Sequence, residues 1–224
     1  LDSKKALGAI LPNFSISRNL RENLSAYISY NSNLNGFSIL NFLSKNIVDD
    51  YRSYISPSFV VPELMITDSY NVGLMYNIPE KNIFSSVSFS HSSDRKKLER
   101  TFNNLELVTQ QNFQYIDTNK TTSGNLTFNK KFRHIPFGLN FNSFGSVSQL
   151  ETVLNNETSD NKNYNISSKL YIQSYFKNNQ LNFNAGVNYM NNISKNNTAI
   201  SSNLAKLERV TPFITLNGVA LNDK

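Results

Sequence analysis

Apolar and polar residues alternate along much of this chain. In residues 181–192, LNFNAGVNYMNN, the side chains of Leu181, Phe183, Ala185, Val187 and Tyr189 fall on one side of an extended strand, and asparagine or glycine falls on the other. Neighbouring side chains of a β-strand point to opposite faces of the sheet. The pattern therefore predicts a strand with one apolar face and one amide-lined face.

The same period of two recurs in other parts of the chain. The segments that show it regularly are residues 23–31, 70–78, 83–90, 137–142 and 164–176. The segments that show it less regularly are residues 11–17, 124–132 and 212–220. We therefore predict about eight or nine strands and an all-β fold. No segment is apolar over the roughly 18 residues that a membrane-spanning helix needs.

The predicted connections alternate between short and long. Short polar turns fall at residues 17–22, 79–82, 133–136 and 177–180. Long polar stretches, which we predict to be loops, fall at residues 32–69, 91–122, 143–163 and 191–210. Because successive antiparallel strands reverse direction, all short turns then lie at one end of the sheet. This asymmetry is typical of an antiparallel transmembrane β-barrel with short periplasmic turns and long extracellular loops.

Tyrosines mark one end of the predicted apolar face. Tyr30, Tyr70, Tyr164 and Tyr189 all fall at the long-loop ends of their strands. Tyrosine has an apolar ring and a polar tip, so it suits the boundary between hydrocarbon and headgroups. Nine residues at about 3.3 Å, tilted by about 40°, span roughly 23 Å, close to the apolar band of a barrel. Cross-strand aromatic pairing in a soluble sheet is the alternative interpretation.

Composition favours a wet interior over an ordinary core. Hydrophobic residues make up 39% of the 224 residues, mean hydropathy is −0.40, and 36 residues are asparagine. An amide-lined face is costly to bury in a dry core, but it carries no such cost beside water. The absence of cysteine excludes disulfides and thiolate metal sites. We predict one barrel segment over residues 1–224, with no plug domain in this chain.

The net charge of +6 does not point to nucleic acid, because the basic residues are scattered. The densest clusters are Arg95, Lys96, Lys97 and Arg100, and then Lys130, Lys131 and Arg133. Each cluster is either a solvated loop or a contact for an anionic partner such as a lipid phosphate.

Candidate catalytic chemistry is sparse. The two histidines, His91 and His134, lie in separate polar settings, which does not favour a metal pair or a catalytic triad. The acidic residues Asp49 and Asp50, and the group Glu151, Glu157 and Asp160, lack the even ligand spacing of a calcium loop. We predict that the protein is not an enzyme and uses no cofactor or metal.

The segment 11–93 carries a resemblance to a known family. Residues 11–32 read LPNFSISRNLRENLSAYISYNS, and residues 69–93 read SYNVGLMYNIPEKNIFSSVSFSHSS. Between them stand Val48, Asp49 and Asp50, and then Pro57, Pro62 and Glu63. The chain resembles the barrel of TonB-dependent receptors and the related outer-membrane β-barrel proteins typical of Bacteroidetes. Ile55 and Ser56 replace the family's usual Gly-Asn before the first proline, and the proline spacing is one residue longer.

The resemblance implies a function, a location and partners. Such receptors have a 22-stranded barrel in the bacterial outer membrane, so this chain would be a portion of one. The implied activity is TonB-dependent uptake of a ligand captured by extracellular loops. The implied partners are outer-membrane lipid, a plug domain with the remaining strands, TonB and a surface lipoprotein.

The predicted site residues follow from the alternation and the loops. Those predicted to face the lumen are Lys169, Tyr171, Gln173, Asn182, Asn184 and Asn188. Those predicted to face lipid are Tyr30, Tyr70, Tyr164, Phe183, Val187 and Tyr189. The predicted ligand contacts in loops are Tyr51, Tyr54, Phe59 and Tyr115. Two alternatives stay open at this point: a structural or assembly barrel without active transport, and a soluble β-sandwich binding module.

Overall fold

The prediction of an all-β fold is confirmed. The structure is a computed structural model that describes residues 8–35, 47–50, 52–55, 64–105, 108–116, 119–154, 157–176, 181–197 and 202–218. The strands are β1 Asn13–Arg21, β2 Leu24–Asn35, β3 Ile47–Asp50, β4 Ser53–Ile55, β5 Met65–Ile78, β6 Ile83–Asp94, β7 Lys97–Leu105, β8 Val108–Ile116, β9 Asn119–Lys131, β10 Phe137–Leu154, β11 Glu157–Ser174, β12 Leu181–Asn197 and β13 Ser202–Gly218. No helix among the described residues has the length and apolar character needed to cross a membrane.

Nine strands form one antiparallel meander. Their order across the sheet is β1, β2, β5, β6, β9, β10, β11, β12 and β13, so strands that follow each other along this path are neighbours. Within the described residues, β1 pairs only with β2 and β13 only with β12. These two strands are therefore the edges of the meander, and the described residues form no closed barrel.

One end of the meander carries short connections. Residues 22–23 join β1 to β2, and a 3₁₀ turn, Pro79–Lys81, with Asn82 joins β5 to β6. Asn82 has φ of 50°, and its backbone N–H donates to the Pro79 carbonyl oxygen at 3.1 Å. Asparagine is one of the few residues that tolerate this left-handed conformation. The turn predicted at residues 177–180 lies outside the described residues.

The stretches predicted as long loops are mostly strands, and that part of the prediction is wrong. The pairing of β10 with β11 continues without a register shift from Phe137 and Ser174 to Leu154 and Glu157. The pairing of β12 with β13 likewise continues to Asn197 and Ser202. Once a ladder is established, each further pair adds backbone hydrogen bonds, so the ladder extends into sequence that lacks an apolar face.

The connection between β6 and β9 is also a hairpin. β6 and β9 pair as far as Asp94 and Asn119, and β7 and β8 begin at Lys97 and Ile116. Both strands advance by three residues between these two pairs, so β7 and β8 continue the register of β6 and β9. The small β3–β4 hairpin, in the connection between β2 and β5, joins β8 through a parallel pairing of β4.

Conventional core packing is confined to the hairpin end. Among the described residues, the buried hydrophobic side chains are those of Met65, Ile66, Ile116 and Val153. Each lies on a part of its strand that is remote from the short turns. Most of the apolar side chains of the meander therefore belong to no buried core.

Candidate functional site

The cross-strand register sorts the meander into two continuous faces. Phe14 is the direct partner of Tyr30, and the chain of direct partners can be followed from there to β13. The apolar positions of all nine strands lie on the same face as these residues. We name this surface the apolar face. Its exposed large side chains are Phe14, Ile16, Ile28, Tyr70, Val72, Leu74, Tyr76, Phe89, Leu126, Val147, Ile166, Leu170, Ile172, Val187, Val210, Ile214 and Leu216.

The apolar face is uncovered among the described residues. Phe89, in the middle of the sheet, is 59% exposed, and Ile214, near one edge, is 75% exposed. All described strands join a single sheet, so no second sheet packs on this face. Monomeric soluble proteins rarely expose a contiguous apolar surface of this extent, because burying it is the main favourable term in folding.

The opposite surface, which we name the amide face, holds the six residues predicted to line a lumen. Lys169 is directly opposite Asn188, and Gln173 is directly opposite Asn184. Asn182 lies two residues before Asn184 on the same face of β12. Its side-chain oxygen accepts a hydrogen bond from the Phe176 backbone N–H at 3.2 Å. The register therefore brings these residues into one patch on β11 and β12.

The six residues predicted to face lipid share the apolar face. Tyr30 pairs with Tyr70, at a ring centroid distance of 4.8 Å. Phe183, Val187 and Tyr189 lie on β12, on the same side as one another. The structure thus separates the two predicted sets onto opposite faces, while the medium that each face meets stays a prediction.

Residues beyond the predicted set complete the patch on the amide face. Phe213 on β13 brings its ring to 6.2 Å from that of Tyr171, and the Lys169 ammonium lies 4.7 Å from the Phe213 ring centroid. The Lys131 ammonium lies 4.3 Å from the ring of Tyr175. A cation over an aromatic face is attracted by the ring quadrupole. Sequence reasoning missed Phe213 because strand pairing, and not local alternation, brings it here.

Glycines on the amide face lie opposite tyrosines of the neighbouring strand. Gly73 is directly opposite Tyr27, and Gly186 is directly opposite Tyr171. A Cβ atom at Gly73 would collide with the Tyr27 ring, and a Cβ atom at Gly186 would collide with the Leu170 carbonyl oxygen and Tyr171. The Tyr27 ring therefore folds over Gly73 of the neighbouring strand, whereas at Gly186 the backbones of the two strands approach closely.

The patch offers several kinds of polar contact. Amides and hydroxyls can donate to and accept from hydroxyl-rich groups, and Lys131 and Lys169 add positive charge for carboxylates or phosphates. The Tyr175 hydroxyl donates to the Gln173 side-chain oxygen at 3.0 Å, which orders part of this surface. The site can therefore hold a polar or anionic segment or solute against the sheet.

The tyrosines of the apolar face form a row, but not the predicted four-membered girdle. Successive cross-strand partners run Tyr30, Tyr70, His91, Thr122, Val147, Tyr164, Ile193 and Lys206, which we name the tyrosine row. Tyr189 lies four residues from Ile193 on β12 and is opposite Ser168. Tyr189 is therefore displaced from this row toward the short turns.

A second row, two residues nearer the hairpin ends, is polar except for Leu204. Its members are Ser32, Asp68, Ser93, Lys120, Gln149, Lys162, Lys195 and Leu204, and we name it the lysine row. From Phe137 to Val147, β10 advances ten residues, about 33 Å of strand, or roughly 25 Å at a tilt of about 40°. The apolar face thus has the height of a barrel's apolar band.

An ion pair between the buried Asp68 and the exposed Arg95 fixes the corner after β6. The Arg95 Nε atom donates to Asp68 Oδ2 at 2.6 Å, and the Tyr30 hydroxyl donates to Asp68 Oδ1 at 2.7 Å. The Arg95 backbone N–H donates to the Ile66 carbonyl oxygen at 2.8 Å. The Arg95 guanidinium holds the pKa of the Asp68 carboxyl below its usual range, although burial opposes this shift.

The predicted ligand contacts are separated. Tyr51 and Phe59 lie outside the described residues, and so do Pro57, Pro62 and Glu63 of the resemblance. Tyr54 on β4 pairs with Gln110, and Tyr115 on β8 pairs with Leu98. Gln110 and Tyr115 are five positions apart on β8, so the structure does not bring these two tyrosines together as one contact surface.

The two histidines have different surroundings. The His91 Nδ1 atom lies 2.8 Å from the Thr122 hydroxyl oxygen, and His134 is exposed in the turn before β10. In the part of the chain that the structure describes, no three histidine, aspartate or glutamate side chains group closely enough to hold a metal ion.

Comparison of the chain with protein-family models, characterised proteins and solved structures yields no match.

Proposed function

We propose that this chain is part of the barrel of a bacterial outer-membrane receptor or transporter of the TonB-dependent type. The observation that carries the proposal is the uncovered apolar face, continuous over nine neighbouring antiparallel strands. Lipid is the environment in which such a face is stable without a second layer of protein. A soluble β-sandwich would instead bury this face against another sheet.

The two ends of the meander support an orientation. Short turns lie at one end, and hairpins that continue beyond the apolar band lie at the other. Outer-membrane barrels place short turns in the periplasm and longer connections outside the cell. In this proposal the β7–β8, β10–β11 and β12–β13 hairpins extend outward and contribute to the surface that captures a ligand.

The amide face is assigned to the barrel interior. Its asparagines, serines and threonines are compatible with water, and Lys131 and Lys169 can contact a plug domain or a passing solute. Transport and coupling to TonB rest on the resemblance of residues 11–93, whereas the membrane location rests on the apolar face.

The membrane part of the proposal is tested with the natural full-length protein. Cell fractionation should recover it with outer membranes, and gel mobility should differ between heated and unheated samples, because folded barrels resist the detergent at room temperature. Recovery in the soluble fraction with heat-independent mobility would contradict the proposal. Copurification with TonB tests the coupling separately, and a membrane barrel that never copurifies with TonB would favour a structural role.

A further inference from the structure

We infer that the hairpin end of the apolar face binds the phosphate of an anionic membrane lipid between Lys162 and Lys195. The inference rests on the proposed membrane function. It concerns three lysines on neighbouring strands, Lys162 on β11, Lys195 on β12 and Lys206 on β13, which sequence reasoning did not single out. They lie on the apolar face, near the hairpin end of the sheet, where apolar side chains give way to polar ones.

Two of these lysines are in a position that is unfavourable without a ligand. Lys162 and Lys195 are direct cross-strand partners in the lysine row. Like charges directly opposite each other destabilise a sheet. An anion held between the two ammonium groups would convert this repulsion into attraction, which points to an anionic occupant.

Carboxylates nearby neutralise only part of the charge. The Lys162 ammonium lies 3.3 Å from Asp160 Oδ2, and the Lys206 ammonium lies 3.0 Å from Glu208 Oε2. Among the described residues, no carboxylate lies within salt-bridge distance of Lys195, whose ammonium is 5.9 Å from the Tyr164 ring centroid. Lys195 therefore supplies surplus positive charge at the centre of the cluster.

The position of the cluster selects a lipid over a free anion. Tyr164, in the tyrosine row, lies two residues from Lys162 on β11, on the side of the short turns. Ile166 lies two residues further in the same direction. A long lysine side chain at this level keeps its stem over apolar surface and its ammonium in the headgroup region. A phosphate bound here would stand directly above acyl chains that contact the apolar face.

A depression beneath the cluster can accept an acyl chain. Gly145 is the direct partner of Ile166 on the apolar face, and a Cβ atom there would meet only the Asn165 carbonyl oxygen, at 4.0 Å. Gly124, the next residue of this row, is covered instead by the Phe89 ring at 3.2 Å. The unfilled space over Gly145 is bordered by Val147 and Ile166, both exposed. Headgroup and chain contacts therefore follow one another along β10 and β11.

The test compares two lipids of equal chain length on the natural full-length protein. The protein is purified in a non-ionic detergent, incubated with equal amounts of phosphatidylglycerol and phosphatidylcholine, and examined by native mass spectrometry. We expect preferential retention of phosphatidylglycerol. The variant Lys162→Gln with Lys195→Gln should lower this preference by about fivefold per lysine, since a lysine near an anionic membrane surface contributes about 1 kcal/mol.

A matched control removes two positive charges that lie away from the cluster. Lys81→Gln, in the turn after β5, with Arg209→Gln, on the amide face of β13, makes the same change in net charge, and it should keep the wild-type preference. An unchanged preference in the Lys162 and Lys195 variant, or an equal loss in the control, would overturn the inference. A protein that is folded in membranes but prefers neither lipid overturns the inference alone, whereas a protein that never enters membranes overturns the proposed function.

Discussion

Leu170 on β11 and Val187 on β12 are direct cross-strand partners at mid-height of the apolar face, and they are 48% and 41% exposed. A paired aliphatic contact between two inner strands of a sheet would normally lie under a second layer. Here each side chain covers part of the other and leaves the rest uncovered. Whether these uncovered parts meet lipid or water therefore decides between the proposed membrane barrel and a soluble sheet.

The first prediction compares Val187→Arg with Asn188→Arg. In the natural full-length protein folded into phosphatidylcholine vesicles, Val187→Arg should lower the free energy of unfolding by about 2–4 kcal/mol, the cost of a lipid-facing arginine near the bilayer midplane. Asn188→Arg places the same charge on the amide face and should cost much less. Urea unfolding measures both. Equal effects would contradict the assignment of the two faces.

The second prediction concerns the contact of Gly186 with Tyr171. Gly186→Ala should lower the free energy of unfolding by about 1–3 kcal/mol, because the added methyl group would force the Leu170 backbone and the Tyr171 side chain to move. Gly145→Ala is the control, since the space there is open, and it should leave stability unchanged or raise it by up to about 1 kcal/mol. A larger loss at Gly145 would contradict the described geometry.

The third prediction is a pH dependence of the corner after β6. The pKa of Asp68 is lowered in the folded protein, so the ionised carboxylate favours folding. This contribution is fully present above the ordinary pKa of aspartate, about 3.9, and it is lost as pH falls through the lower folded value. The difference in unfolding free energy between the wild type and Asp68→Asn should therefore narrow below about pH 4. A difference that stays constant from neutral pH to about pH 3 would disprove the role of the charge.

The fourth prediction tests the turn between β5 and β6. Asn82 has a positive φ, which alanine adopts at a cost of about 1 kcal/mol and glycine adopts freely. Asn82→Ala should therefore destabilise the protein by about that amount, while Asn82→Gly should stay close to the wild type. Thermal or urea unfolding of the two variants separates the effect of backbone conformation from loss of the amide side chain. Equal destabilisation by alanine and glycine would show that loss of the amide side chain costs more than the backbone conformation.

Alternation along the chain was enough to predict the strands of the apolar band. In residues 181–192 the period of two is set by the requirement that one face be apolar. β12 follows that period in the half that lies nearest the short turns. Each prediction of this kind depends only on neighbouring residues. Local sequence therefore carried the strand assignment and the separation of side chains onto two faces.

Sequence alone could not predict the outer hairpins. Residues 143–163 contain many polar residues with low strand preference, so they resemble a loop. In the structure the strands continue, and side-chain hydrogen bonds join them, such as Asn161 Nδ2 donating to Thr152 Oγ1 at 2.8 Å. The same limitation hid the pairing of Lys162 with Lys195, because register between separate strands is set by the whole ladder and not by either strand.

The two edge strands constrain whatever completes the sheet. β1 and β13 both run toward the short turns, because the meander contains nine strands of alternating direction. Direct pairing of β1 with β13 would therefore be parallel. If every neighbouring pair in a closed barrel is antiparallel, an odd number of further strands must bridge β13 and β1. Together with the nine strands of the meander, the total number of strands is then even.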